Sequence, residues 1–233
     1  LNKIMPLRLL LLLSMIAISQ TVHAQNDLLS EANALSVQDD GKVRGTFKGT
    51  RLINLHTVET LSKGSLDFRI SHRFGEVNTG AGNLWGFDGP ANLRLGFDYS
   101  ITDKFVVGVG RSSYQQYFDG FVKYRVLQQA TQGSWVSLGV VTSVNVTAAP
   151  DPSRIINGFD RYAQFSNRMA YMTQVLIARK FSERISVQFS PAFLHYNLVE
   201  KSDDKNDMIA LGISGRYKFS RSTAVTFEYT PVV

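Results

Sequence analysis

Residues 65–74 read SLDFRISHRF, and their side chains alternate strictly between two sets. One set is Leu66, Phe68, Ile70, His72 and Phe74, and the other is Asp67, Arg69, Ser71 and Arg73. Successive side chains of a β-strand point to opposite faces of a sheet, so a period of two predicts a strand with one apolar and one polar face.

The same alternation recurs along the rest of the chain, and we find no amphipathic helix after residue 40. The predicted strands are 65–74, 91–100, 105–111, 120–127, 135–146, 169–181, 185–198, 208–219 and 224–233. Strands of this kind joined by tight turns are typical of antiparallel sheets. The sequence therefore predicts an all-β protein with nine regular antiparallel strands.

Two architectures fit a period of two. In a soluble barrel or sandwich the apolar face forms a core, whereas in a transmembrane barrel it meets lipid and the polar face lines the lumen. A tilted strand of about ten residues crosses the roughly 25 Å apolar band of an outer membrane, while soluble strands more often have five or six residues. The predicted strand lengths favour the transmembrane barrel.

The links between the strands support the same choice. They alternate between short (101–104, 128–134, 182–184, 220–223) and long (75–90, 112–119, 147–168, 199–207). This asymmetry is typical of tight periplasmic turns and long outer loops. Aromatic residues beside the short turns predict a belt at one membrane interface, formed by Tyr99, Phe105, Trp135, Phe181 and Phe219. We expect an outer-membrane β-barrel, with a soluble periplasmic barrel as the alternative.

The N-terminus predicts a cleaved signal peptide over residues 1–24. Lys3 and Arg8 precede or flank a short apolar run, and Val22-His23-Ala24 provides a cleavage pattern. We assign 25–42 to a periplasmic tether, 43–60 to an extended segment and 61–233 to the barrel. The link 60–64 is too short for an outer loop, so we expect 43–60 to lie in the lumen or along the periplasmic rim rather than to form a regular first strand.

The number of strands adds a further expectation. Bacterial outer-membrane barrels usually have an even number of strands, and the sequence stops within a strand pattern at Val233. We therefore expect a C-terminally truncated chain from a barrel of ten to twelve strands.

Four motifs carry a family resemblance. They are RISHRFG at 69–75, RLGFDYSITDK at 94–104, VGVGRSS at 107–113 and YFDGFVKY at 117–124. In this order they resemble an uncharacterised Bacteroidota family of outer-membrane β-barrels, a domain of unknown function, over residues 44–233. The resemblance implies the location and the fold, with three further strands in longer members, and it implies no activity or catalytic residue.

The polar faces of the strands are rich in charge. We predict a lumen lined by Asp67, Arg69, Arg73, Arg94, Asp98, Arg111, Lys123, Arg125, Arg216, Lys218 and Glu228. Such a lining could select a small anionic solute. The alternative is an ion-pair lattice that fills a narrow barrel. Gly108 and Gly110 also face inward, which suggests close approach of another backbone, such as that of 43–59.

No cofactor, metal site or catalytic centre is predicted. The chain has no cysteine and four histidines, of which none forms a local metal-binding pair. His56 follows Asn54, as in outer-membrane lipases, but no serine is tied to them by spacing. His72 falls on the lipid-facing set, and Glu200, Asp203, Asp204 and Asp207 form an acidic loop without calcium-binding spacing. The net charge is +6, but the basic residues are spread singly, which argues against nucleic acid.

Two functional hypotheses remain, with outer-membrane lipid as the surroundings in both. The first is a pore or lumen-binding protein for a small anionic solute. The second is a non-conducting structural or assembly barrel that binds a periplasmic or surface protein through its outer loops or N-terminal segment. An outer-membrane lipid hydrolase is a distant third.

Overall fold

The computed structural model describes residues 41–151, 154–155, 158–199, 201 and 203–233. The predicted signal peptide and nearly all of the predicted tether lie outside the described residues. The chain divides into two units, Leu1–Lys42 and Val43–Val233, and the strands of the described residues lie in the second unit. None of the helices in the described part of the chain is long and apolar enough to cross a membrane.

Nine strands form one antiparallel sheet in which each strand pairs with the next along the chain. They are β1 Leu66–Arg73, β2 Asn92–Thr102, β3 Phe105–Ser112, β4 Tyr117–Leu127, β5 Ser137–Thr147, β6 Met169–Lys180, β7 Ile185–Tyr196, β8 Asp207–Lys218 and β9 Ala224–Tyr229. Short 3₁₀ segments lie in the long links, at Val77–Thr79, Ala81–Gly86, Tyr114–Gln116 and Phe165–Arg168. The predicted all-β class, the nine strands and their antiparallel order are confirmed.

The last strand is shorter than the sequence pattern predicts. β9 ends at Tyr229 because Pro231 has no N–H to continue the ladder. Pairing to β8 resumes beyond it, where Leu211 N–H donates to Pro231 O at 2.9 Å and Val233 N–H donates to Ile209 O at 2.8 Å.

The two faces of the sheet differ sharply in exposure. Outward-facing apolar side chains are open, as with Phe97 and Ile213, at 48% and 43% exposure. Inward-facing polar side chains are closed off, as with Lys123 and Gln188, at 2% and 0%. A protein with an ordinary soluble core would show the opposite distribution.

Residues 43–60 form an irregular hairpin against the inner face, which we call the plug hairpin. It enters at the short-turn end, where Val43 N–H donates to Gln129 O at 2.7 Å. It turns at residues 52–55, where Leu52 N–H donates to Leu55 O at 3.1 Å. It returns to the same end, where Thr60 Oγ1 donates to Asp103 O at 2.6 Å. No regular strand forms over 43–60.

Contacts at the plug tip show how far the sheet curls. Arg73 Nε of β1 donates to Asn54 Oδ1 at 2.8 Å, and Asn54 N–H donates to Glu228 Oε2 of β9 at 3.0 Å. In a flat sheet β1 and β9 would be about 38 Å apart, because neighbouring strands lie roughly 4.8 Å from each other. The sheet therefore bends around the plug hairpin. Within the described residues β1 and β9 are not paired with each other, so the sheet is not closed.

An apolar core lies between the plug hairpin and the inner faces of β3–β6. Its buried members are Phe47, Val58, Val106, Phe121, Val141, Leu176 and Ala178. The interior is thus not lined by polar side chains alone. Burial of these groups favours the seated plug, since apolar surface is removed from water on both sides of the contact.

Candidate functional site

Three inward side chains hold the backbone of the plug hairpin over residues 50–59. Lys123 of β4 donates from Nζ to Thr50 O at 3.4 Å and also to Glu59 O, which joins the two arms. Gln188 of β7 accepts from Val58 N–H at 3.0 Å and donates to His56 O at 2.8 Å. These bonds satisfy backbone groups that lie away from water.

Glu228 of β9 provides the third hold, at the plug tip. Its carboxylate accepts the consecutive N–H groups of Ile53, Asn54 and Leu55 at 3.0–3.2 Å. A carboxylate is well suited to such a set of amides, because hydrogen bonds to a charged acceptor are the stronger kind.

A charged layer lies beside the plug tip. Arg94 of β2 forms a two-pronged ion pair with Asp119 of β4, with Nε donating to Oδ1 at 2.8 Å. The guanidinium fits there because Gly110 lacks a Cβ; a Cβ would lie 2.3 Å from Arg94 Nη2. Arg69 and Asp67 of β1 form a second pair at 2.5 Å, and Arg69 also donates to Thr50 Oγ1 at 2.8 Å.

A cavity of about 250 Å³ opens above the plug tip, towards the long-link end of β4–β7. Its charged lining residues are Arg51, Arg94 and Asp119, and its neutral polar ones include Asn54, His56, Ser143, Asn145 and Gln174. The apolar lining includes Leu55, Phe121, Ala170, Met172 and Leu194. The cavity is below the roughly 300–1,000 Å³ of drug-sized pockets, so it suits a small solute.

Arg51 is the group in this lining whose charge lacks a direct partner. Among the described residues no carboxylate lies within ion-pair distance of it, and its buried Nε has no hydrogen-bond partner, although its Nη1 donates to Asn54 O at 3.5 Å. Its guanidinium lies 5.3 Å from the centroid of the Phe121 ring. Burial, followed by the repulsion of Arg94, lowers the pKa of Arg51 to about 10, against the attraction of the Asp98 and Asp119 carboxylates. It remains a cation at neutral pH.

His56 is buried against the same ring. Its imidazole meets Phe121 edge-on with 4.6 Å between the centroids. Burial lowers the pKa of His56 well below 6.5, and the nearby cations Arg51 and Lys123 lower it further. His56 is therefore neutral at pH 7 and adds no charge to the cavity.

The structure places ten of the eleven predicted lining residues on the inner face. The prediction for Arg111 is wrong: it lies opposite Leu95 on the outward face and is exposed, with its guanidinium 4.4 Å from the centroid of Phe118. Arg125 faces inward at the short-turn end and donates to Asp103 O at 2.9 Å. The ten residues are Asp67, Arg69, Arg73, Arg94, Asp98, Lys123, Arg125, Arg216, Lys218 and Glu228.

The inward glycines have a different purpose from the one predicted. A Cβ on Gly108 would lie 2.2 Å from Phe121 Cε1 and 2.7 Å from Asp98 Oδ1. A Cβ on Gly110 would meet the Arg94 guanidinium. Side chains of the sheet, and not the backbone of 43–59, occupy the space that these glycines leave.

The other predicted residues lie at the rims of the sheet. The five predicted belt aromatics flank the short turns, and Trp135 is the most open of them at 76% exposure. His72 is exposed on the outward face, with its ring 4.5 Å from that of Phe74. In the acidic loop, Glu200 lies outside the described residues. Asp207 instead pairs with His195, with 2.6 Å from Oδ1 to Nδ1.

Sequence reasoning missed Asp119, Gln188 and Arg51 as site residues. Asp119 was placed in a link because β4 begins three residues before the predicted start. Gln188 lies within the predicted strand 185–198 but was not singled out. A buried glutamine with both amide atoms aimed inward could have suggested an internal backbone partner, since such groups need hydrogen bonds when buried.

The fold and its interior define a class: an all-β sheet that curls around its own N-terminal hairpin, with an apolar exterior and a polar, partly charged interior. The chain belongs to the family described as a membrane-bound β-barrel domain (DUF5777), whose model matches residues 47–233. The family has no assigned function, and its match confirms the predicted membrane barrel of unknown function. No curated protein and no solved structure matches the chain.

Proposed function

We propose that this domain binds a small anionic solute in the cavity above the plug hairpin. The observation that carries the proposal is Arg51, a cation on the cavity wall with a buried, unpartnered Nε and no direct carboxylate partner among the described residues. A half-buried cation that has no carboxylate within ion-pair distance is only partly compensated, and an anion in the cavity would offset the remaining cost.

The other lining charges support an anionic ligand. Arg94 and Asp119 neutralise each other through their ion pair, and His56 is neutral at pH 7. Within the lining itself Arg51 therefore leaves a surplus of one positive charge, and the buried carboxylate of Asp98, which lies outside the lining, attracts it only from beyond ion-pair distance. The amides of Asn145 and Gln174 and the hydroxyl of Ser143 add hydrogen-bonding groups in the same lining.

The plug hairpin favours binding over free diffusion. Lys123, Gln188 and Glu228 fix it by its backbone, and the apolar core seals it against β3–β6. We infer a barrel that conducts poorly while the plug is seated, with solute entering from the long-link end.

We place the barrel in the bacterial outer membrane. The signal-peptide pattern of residues 1–24 and the alternation of short and long links support this location. Cell fractionation with and without boiling before electrophoresis tests it. A heat-modifiable band in the outer-membrane fraction is expected, and extraction without detergent would contradict the location.

The binding proposal is tested by stabilisation with added anions. Because a ligand that binds the folded state raises its stability, at least one of acetate, octanoate, suberate and inorganic phosphate should raise the unfolding midpoint of the wild-type protein. Arg51→Met should abolish this effect, while Arg184→Met, in an exposed short turn, should keep it. Equal responses of wild type and Arg51→Met to every anion would overturn the proposal.

A second candidate function is protein binding through the long links. These links expose large aromatic side chains, among them Trp85, Phe87, Phe159 and Phe165 at 55–67% exposure. Exposed apolar groups of this kind often mark contact surfaces. A photo-crosslinker at position 85 should give a discrete protein adduct in cells, and one at position 221 in a short turn should not; identical patterns at both sites would argue against this function.

A further inference from the structure

We infer that the solute bound above the plug hairpin is a small monocarboxylate with an apolar body. This inference rests on the proposed function and assigns the chemical class of its ligand. It follows from the way the cavity lining divides into a charged side and an apolar side.

The charged side fits one negative charge. The lining has two arginines and one aspartate, and the Arg94–Asp119 pair leaves Arg51 as the single surplus cation. A planar guanidinium matches a carboxylate, which can accept two parallel N–H bonds. A dianion such as phosphate would need further cations that the described lining does not contain.

The apolar side is continuous. Met172 of β6 and Leu194 of β7 are direct cross-strand neighbours, and both line the cavity with Leu55 of the plug hairpin and Ala170. A small hydrophilic anion would leave these groups facing water, whereas an apolar body would cover them. Met172 also offers an unbranched, adaptable surface that can adjust to such a body.

The size of the cavity limits that body. A volume of about 250 Å³ corresponds to roughly eight waters at about 30 Å³ each. Because bonded atoms lie closer together than separate waters, a ligand of roughly ten non-hydrogen atoms fits. Octanoate, with its single carboxylate and unbranched chain, is a suitable probe of this class.

Isothermal titration of the full chain in nonionic detergent tests the assignment, with octanoate, acetate, suberate and inorganic phosphate as probes. Octanoate should bind at least tenfold more tightly than each of the others. Arg51→Met should abolish the specific binding of octanoate. Any heat that remains in titrations of this variant then measures the partition of octanoate into detergent. Leu194→Gln should weaken the binding of octanoate at least tenfold and leave the binding of acetate unchanged, while Leu194→Met should retain the binding of octanoate. Heat-modifiable migration on a gel checks that each variant folds.

The outcomes separate the two levels of the proposal. If acetate or phosphate binds as tightly as octanoate and depends on Arg51, the ligand class is wrong and the anion site stands. If octanoate binds Leu194→Gln as well as wild type, the apolar side is not used and the class is again wrong. If no probe depends on Arg51, both the class and the proposed function are overturned.

Discussion

Gln188→Met is the sharpest test of the seated plug. The Gln188 side chain is fully buried, and methionine keeps its length while removing both polar groups. The substitution leaves Val58 N–H and His56 C=O without the bonds of 3.0 and 2.8 Å that they now make. Both groups belong to the plug hairpin, so their loss affects its seating and leaves the strand ladders intact. The substitution also removes the bond of 2.9 Å that Gln188 donates to Ser190 Oγ on the same strand, and this loss is not part of the plug contact.

The size of the effect follows from these two groups. A buried donor or acceptor left unsatisfied costs about 1–3 kcal/mol, so two of them cost about 2–6 kcal/mol. Both groups regain water when the plug leaves, so this cost applies only to the seated state. Since every 1.4 kcal/mol is tenfold, the unseated population should rise between roughly 30-fold and roughly 10⁴-fold.

Conductance in a planar bilayer measures the unseated population. The wild-type barrel should be closed for nearly all of the recording, and Gln188→Met should show openings at a much higher frequency. Deletion of residues 43–60 gives the fully open reference. The predicted increase is in the fraction of time that the channel is open. The conductance of an open channel should be equal in wild type and Gln188→Met, because the lumen without its plug is the same in both proteins.

Gln174→Met is the matched control. Gln174 is also inward and buried, at 1% exposure, and it lies on the neighbouring strand β6. Among the described residues it makes no hydrogen bond with the plug hairpin, so its substitution should leave the opening frequency within a few-fold of wild type. Equal opening in the two variants, or no opening in Gln188→Met, would refute the idea that side-chain bonds to the hairpin backbone keep the barrel closed.

Three further predictions concern the interior. Burial holds the pKa of His56 well below 6.5, so below pH 6.5 the unfolded chain binds a proton at this histidine that the folded chain does not. The free energy of unfolding should therefore fall below pH 6.5 by up to about 1.4 kcal/mol per pH unit. Chemical unfolding should show this slope, and His56→Phe should reduce it. Gly108→Ala places a Cβ 2.2 Å from the Phe121 ring and should lower the free energy of unfolding by about 1–3 kcal/mol. In Gly120→Ala the nearest atoms lie at 3.9 Å, so the free energy of unfolding should stay within about 0.5 kcal/mol of wild type. Equal unfolding midpoints of the two variants would contradict the packing around Gly108. The pKa of Arg51 is about 10, so anion affinity should be constant up to pH 9 and then fall by up to about tenfold per pH unit. Titrations in which affinity is flat to pH 11 would contradict the lowered pKa of Arg51.

The fold was predictable because each strand shows its two faces locally. The alternation at 65–74 is visible within ten residues and needs no knowledge of distant parts of the chain. Differences arise where one residue changes the backbone, as Pro231 does at the end of β9. Arg111 was misplaced for a related reason: a charge was assumed to face inward, whereas the register with Leu95 puts it outside. The stem of an arginine tolerates such a position, with its charged end at the rim.

The site was less predictable because its contacts join distant parts of the chain. Val58 and Gln188 are 130 residues apart, and Leu55 and Glu228 are 173 apart. A period of two identifies which side chains face inward, but it does not say what occupies the interior. The short link at 60–64 indicated that 43–60 is not a regular strand, and nothing local showed which groups its backbone would meet.

The plug hairpin changes what an inward residue does. In an open lumen Val141 and Leu176 would face water and cost free energy, but beside Phe47 and Val58 they form a buried core. Lys123 would be a pore charge in an open lumen, yet here it binds two plug carbonyls at 2% exposure. The same alternating sequence thus serves a closed interior because one irregular hairpin occupies it. Arg51 lies on that hairpin and faces the remaining cavity, so any movement of the plug would also move the cation that we propose binds the solute.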